Sequence, residues 1–122
     1  MKVDERKAEL EELEERIRRD QARRIELLRQ EPLALADREL LGWEGPSRLS
    51  ALFGQKDDLV LVHNMGARCA YCTLWADGFN GILPHLENRA GFVVSSPDPP
   101  EAQKAFAQGR GWRFRMIHDP GA

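Results

Sequence analysis

Long apolar runs are missing from this chain. None approaches the ~20 residues a membrane-spanning helix needs, and the opening Met1-Lys2-Val3-Asp4-Glu5-Arg6 lacks the apolar core of a signal peptide. The expectation is a cytoplasmic protein with no membrane partner. A dominant charge is missing too: 18 basic residues face 20 acidic ones, a formal net charge of −2. No strong field recruits nucleic acid or an anionic surface, so neither is expected as a partner. Cysteine is scarce, two in 122 residues, and the pair is spaced Cys69-Ala70-Tyr71-Cys72. In a reducing compartment that spacing speaks for redox cycling or metal binding rather than for a structural staple. The length allows one domain, with a small core because the first quarter is so highly charged.

Glycine and proline are absent from Lys2 to Gln30, a stretch rich in Glu, Arg, Leu and Ala. All are good helix formers, so residues 1–31 read as one long charged helix. Acid precedes base at i,i+4 in Glu12/Arg16, Glu14/Arg18, Glu15/Arg19 and Asp20/Arg24, the favourable order for an exposed face. The apolar positions Leu10, Leu13, Ile17, Ile25 and Leu28 form a thin stripe that loses register near Asp20, so no sustained heptad is read. Docking of the stripe on the body or on a second copy is the expectation. Glu31-Pro32 closes the helix, and residues 32–48 read as a linker with turn chemistry at Gly42-Trp43-Glu44-Gly45-Pro46.

The remainder, 49–122, reads as the folded domain. Leu49, Leu52 and Phe53 before Gly54 suggest a short helical turn. Leu59-Val60-Leu61-Val62 and Gly91-Phe92-Val93-Val94-Ser95 are continuous apolar runs, the pattern of strands buried on both faces of a parallel sheet. Between them, Cys69 to about Asn88 has helical spacing broken by Gly78, Gly81 and Pro84, hence a kinked or broken helix. Strand, helix, strand makes a right-handed βαβ unit. Asp98 reads as the N-cap of a second crossover helix with Pro99 at its first position, stopped by Gly109 and Gly111, and Trp112 to Ile117 reads as a third strand. The fold class is α/β with a parallel βαβαβ core.

A loop that delivers Cys69 to a helix N-terminus exposes its sulfur to unpaired amides and to the positive end of the helix dipole, both of which favour the thiolate. Cys72 lies on the same helical face, in reach of a mixed disulfide at Cys69. Cys69 is therefore the candidate attacking thiolate and Cys72 the resolving one. Supporting candidates are Arg68 as a charge, set against a solvated surface arginine; Tyr71 as part of a docking surface, set against plain packing; His63 as a proton shuttle, set against a structural histidine at a strand end; and Asp77 as proton acceptor, set against capping or exposure. Haem attachment is excluded because Thr73, not His, follows Cys72. A two-Cys, two-His zinc site drawn from His63, His85 and His118 lacks a second paired-ligand motif and remains the alternative, with the long helix serving assembly.

The blocks Leu49-Ser50-Ala51-Leu52-Phe53-Gly54, Leu59 to Val62, Cys69 through Gly81, Phe92 to Pro100 and Trp112-Arg113-Phe114 resemble the thioredoxin-like family of unknown function whose members are predicted dithiol-disulfide oxidoreductases. The resemblance spans Leu49 to Ile117 and is most specific around the cysteines. It implies a thioredoxin-like fold with Cys69 and Cys72 as redox pair, no dissociable cofactor, and a protein or small-molecule thiol or disulfide as substrate. Ala70 departs from the family, where proline commonly follows the first cysteine, a change that alters thiolate pKa and potential. The resemblance also implies that the last hairpin and helix of the fold have no counterpart in residues 1–122, leaving an incomplete domain and making a second copy of the chain a candidate partner. A peroxiredoxin-like peroxidase is a further alternative; its relatives carry Thr or Ser three residues before the attacking cysteine, where this chain has Gly66.

Overall fold

The structure is a computed structural model that describes residues 1–30 and 33–119. It separates into two units, 1–36 and 37–122. The first holds helix α1, Val3–Gln30, with no buried residue. Its stripe is open to solvent, Leu10 and Ile17 being about half exposed at 52% and 55%. Of the four expected acid-base pairs, Glu15 and Arg19 stand at 4.0 Å; Arg18 turns to Glu15 at i,i+3 instead of Glu14, and Arg23 pairs with Glu26, a contact not among the four. Such exposed pairs contribute little. The expected closure at Glu31-Pro32 lies outside the described residues.

The second unit is built on one five-stranded sheet in the order β2-β1-β5-β4-β3. Its strands are β1 (Glu39–Gly42), β2 (Gly45–Arg48), β3 (Leu59–His63), β4 (Gly91–Ser96) and β5 (Arg115–His118). β3, β4 and β5 are parallel neighbours, the expected βαβαβ core. The segment expected as a linker, 32–48, is not one throughout. β1 and β2 form a hairpin whose first strand pairs antiparallel with β5. The turn residues Trp43-Glu44 that suggested a connector are the tip of that hairpin, and strands of four residues are too short for alternation to register.

Helices α2 (Ala70–Gly81) and α3 (Leu83–Arg89) form the broken crossover between β3 and β4, and α4 (Pro100–Arg110) connects β4 to β5. All three cover one face, where Ala76, Leu83, Phe92, Val94, Ala107, Trp112, Phe114 and Met116 make the larger core. The opposite face packs Leu40, Val93 and Ile117 against Leu52 of a short 3-10 helix, Leu49–Phe53. β4 is buried on both faces. β3, expected to be so, is not: it is the edge strand, and Val60 is 43% exposed. The third strand starts later than expected, at Arg115, with Trp112 and Phe114 buried in the approach to it.

Two polar devices fix the parts of the sheet that the site depends on. Gln103 of α4 is buried; its Nε2 donates to Ser96 O (3.3 Å), Ser96 Oγ (2.8 Å) and Ile117 O (2.9 Å), while its Oε1 accepts from Trp43 Nε1 (3.2 Å). One amide thus ties β4, β5 and the hairpin tip to a helix, with its own polar atoms satisfied. Asp98 does not cap α4 as expected. Pro99 is the N-cap, without a side-chain bond, and the Asp98 carboxylate turns toward the loop that carries the cysteines, accepting from Ala67 N at 2.8 Å.

Candidate functional site

The loop Asn64 to Arg68 leaves the C-terminal end of β3 and delivers Cys69 to the N-cap of α2. Cys69 is extended there (φ −89, ψ 103), and its sulfur occupies the place a serine oxygen takes in an ordinary cap, accepting from Cys72 N at 3.2 Å. The first turn is closed by Thr73, whose amide and hydroxyl both donate to Cys69 O at 3.1 Å. Both cysteines are free thiols and half-buried.

Their environments push the two sulfurs apart. The Cys72 thiol and then the Cys72 amide hydrogen-bond to Cys69, with the Tyr71 amide adding to them, and together they hold Cys69 below the usual thiol pKa. The same thiol contact raises Cys72, as do burial and the Cys69 charge, against an opposing bond from Met65 N to Cys72 Sγ at 3.4 Å. The pair titrates as a unit: the first proton leaves with the charge resting on Cys69, and Cys72 keeps the second.

The four supporting candidates fall into different places. Arg68 is exposed, and hydrogen bonds rather than its charge account for the lowering at Cys69. Tyr71 is 78% exposed beside the cysteines and lines the hollow next to them rather than the core. His63 lines the same hollow as the cysteines, with Nδ1 engaged by the buried Ser95 Oγ at 3.1 Å, the structural arrangement weighed for it. Asp77 is not placed to take a proton. Arg110 binds it through both Nε (3.0 Å to Oδ1) and Nη2, and Trp112 Nε1 donates to Oδ1 at 2.7 Å. These bonds hold its pKa below the usual carboxylate value, which makes it a poor base.

Beside the sulfurs is a hollow of about 410 Å³ walled by Val62, Met65, Tyr71, Trp75 and Phe79, with no Lys, Arg, Asp or Glu in its lining. Met65 and Trp75 are 71% and 66% exposed. A larger hollow of about 510 Å³, near Phe53, Lys56 and Arg113, has no Cys, Ser or Thr in its lining. Among the described residues no group of three or more His, Cys, Asp or Glu that could hold a metal ion comes together. None of the described helices is long and apolar enough to cross a membrane.

The residues that shape the loop are not among the candidates read from the sequence. Asn64 is 5% exposed; its Oδ1 accepts from Gly66 N at 2.8 Å, its Nδ2 donates to Cys72 O at 3.4 Å, and its amide donates to Ser95 O at 2.8 Å. Gly66 has φ +105, and a Cβ there would approach Asp98 Oδ1 to 3.0 Å, so both its conformation and its space call for glycine. A polar residue straight after an apolar strand and two residues before a glycine was the available signal for Asn64. Asp98, 31 residues from its partner Ala67, had none.

Residues 4–121 match the sequence profile of a family described as a bacterial protein of unknown function (DUF899). No curated protein matches the chain. Among solved structures, the chain is similar to peroxidoxin BcpB from Mycobacterium tuberculosis, with 33% identity, TM-score 0.61, and coverage of 72% of this chain and 58% of that one. It is also similar to the bacterioferritin comigratory protein of Xanthomonas campestris, a protein with alkyl peroxide reduction activity, at 25% identity and TM-score 0.59, covering 73% and 57%. A Bacteroides thetaiotaomicron protein provisionally assigned as a disulfide isomerase shares the fold at 22% identity and TM-score 0.56, covering 71% and 56%. The fold is thus thioredoxin-like, and the chain spans somewhat over half the length of the structures it matches.

Proposed function

The chain belongs to that DUF899 family of unknown function, and from its dithiol we propose that it is a thiol-disulfide oxidoreductase acting through Cys69 and Cys72. The observation that carries this is the placement of Cys69 Sγ at the α2 N-cap, where the amide and thiol of Cys72 both reach it. In the proposed cycle Cys69 thiolate attacks one sulfur of a substrate disulfide, and the other sulfur leaves with the electron pair and takes up a proton. Cys72 then loses its proton and attacks Cys69 Sγ, forming the Cys69–Cys72 bond and releasing the second substrate thiol. The substrate gains two electrons and the dithiol loses them, so no dissociable cofactor takes part. A reducing compartment such as the cytoplasm would regenerate the dithiol.

A redox titration against glutathione buffers, read by alkylation and intact mass on wild type, Cys69→Ser and Cys72→Ser, tests the reading. A two-electron transition in wild type, with mixed disulfide trapped at Cys69 in Cys72→Ser, is the expected result. Cysteines that stay reduced throughout, with bound zinc in the purified protein, would return the chain to the non-catalytic module.

The similarity to peroxide-reducing proteins favours a second reading, thiol peroxidase. Here Cys69 thiolate attacks a peroxide oxygen, the O–O bond breaks with loss of alcohol or water, and the resulting sulfenic acid condenses with Cys72, expelling water. Gly66 offers no hydroxyl before the cysteine, and the Thr73 hydroxyl is occupied by Cys69 O, which weighs toward disulfide exchange. Consumption of hydrogen peroxide or cumene hydroperoxide at rates well above those of a free thiol would reverse that preference.

A further inference from the structure

Cys72 must do its work at a moment when the arrangement described above no longer exists. In the resting dithiol its proton is held chiefly by Cys69. Once Cys69 is bonded to substrate sulfur it is no longer an anion, and the charge and the thiol contact that kept Cys72 protonated both disappear. What remains on Cys72 Sγ is the amide of Met65, 3.4 Å away, with a smaller contribution from the amide of Cys72 itself. A hydrogen bond donated to sulfur favours the thiolate, the form that attacks.

That amide is not free to wander. On one side Asn64 is tied into the sheet through its own N–H to Ser95 O and, from beneath the loop, accepts from Gly66 N at 2.8 Å, so the residues flanking Met65 are pinned to each other. On the other side Asp98 holds Ala67 N at 2.8 Å. The Asn64 amide group also donates to Cys72 O at 3.4 Å, linking the loop to the residue whose sulfur it faces. One buried side chain thus touches both the donor segment and the resolving cysteine. We infer that Asn64 is a positioning residue for the second half of the exchange, holding the Met65 amide on Cys72 Sγ so that this sulfur is ready to attack the mixed disulfide at Cys69. The inference rests on the oxidoreductase reading and adds a residue to it.

The test is single-turnover reaction of the full chain, in excess, with dithiobis(nitrobenzoate). Attack by Cys69 releases one nitrothiolate and attack by Cys72 the second, so the two steps appear as separate phases of one trace. In Asn64→Ser the first phase keeps its rate within a factor of about two, while the second is slowed near neutral pH. The slowing is about threefold for each unit by which the Cys72 pKa rises, because a weaker acid is also a better nucleophile. The sign follows from the bond: losing a donor to the thiolate moves the pH midpoint of the second phase upward, and above both midpoints the variant overtakes wild type, by about threefold per unit. A merely structural defect would slow both phases at every pH.

Circular dichroism reports whether Asn64→Ser folds. Met65→Pro deletes the same donor directly, at a residue whose side chain is 71% exposed and whose φ is negative, and it gives the same shift. If wild type shows both phases and either folded variant leaves the second-phase midpoint unmoved, the role of Asn64 is overturned and the oxidoreductase reading stands. If wild type itself releases nothing from Cys69 faster than a free cysteine does, the oxidoreductase reading fails first, and the role assigned to Asn64 falls with it.

Discussion

The two ends of helix α2 are built for opposite purposes. Its first half carries Cys69, Cys72 and the exposed Tyr71 and Trp75 around an uncharged hollow. Its second half is strapped down. Asp77 takes Arg110 and Trp112, and Asn80 uses both ends of its amide, Nδ2 to Gly111 O at 3.0 Å and Oδ1 from Arg113 N at 2.8 Å. The only residue of the helix that is fully buried, Ala76, separates the halves. An attacking sulfur has to be reachable, and aromatic surface near it has to be left uncovered, so neither can anchor the helix. The anchoring is moved two turns away, to a segment entering β5. Rigidity at one end holds the geometry of the other, an arrangement that suits a site needing precise placement without its own burial.

The comparison breaks most visibly at Cys69 and Trp112. Cys69→Ser should remove disulfide exchange down to background while leaving the thermal midpoint nearly unchanged, since a serine oxygen caps the helix as well as the sulfur does. Alkylation kinetics and a thermal melt on the same sample measure both halves of that statement. Trp112→Ala should do the reverse. The ring is 7% exposed, lies against Phe106 and Phe114 with centroids 5.3 and 5.1 Å away, and supplies a hydrogen bond to Asp77. Its loss should cost about 3–5 kcal/mol, read as a shift of the urea midpoint. A drop in activity with no loss of stability would contradict the division.

Asp77 shows how far the sequence could be read. Its spacing from Cys72 was visible and suggested a proton acceptor, but its partners, Arg110 and Trp112, lie 33 and 35 residues on and belong to a different element. Local pattern places a residue on a helix; it does not say which face meets the rest of the chain. The same holds for β3, whose apolar run reads like an interior strand although it forms the edge. What was legible was what depends on neighbours in sequence: the βαβαβ order, a broken crossover helix, which parts after Gly81, and the cysteine pair at a helix start. The β1–β2 hairpin was missed because its four-residue strands, one of them Gly-Pro-Ser-Arg, carry turn residues where a strand signal would be sought.

A smaller effect sharpens the anchored end. Because Arg110 and Trp112 lower the Asp77 pKa in the folded state, the carboxylate adds stability above the unfolded value, about 3.9, and that contribution is lost as pH falls through the folded value. Asp77→Asn should therefore lower the thermal midpoint at neutral pH and flatten its decline below about pH 4, so that variant and wild type converge in acid. Parallel melting curves for the two proteins across the acid range would contradict this origin for the bond. Exchange kinetics at neutral pH should change little, since Asp77 takes no proton from the dithiol.

The smallest effect on stability belongs to the reactive end. Trp75 contacts Phe79 with ring centroids 6.1 Å apart but is 66% exposed, so Trp75→Ala should change stability by no more than about 0.5 kcal/mol. Its consequence should fall on substrate engagement. The wall it forms is apolar, and a disulfide set among apolar side chains gains contact area there, so KM for such a substrate should rise while the turnover rate at saturation stays close to wild type. A small hydrophilic disulfide, which makes little use of that wall, should show no change. If Trp75→Ala instead lowers the urea midpoint as Trp112→Ala does, the two ends of α2 share one core and the separation between anchoring and chemistry is wrong.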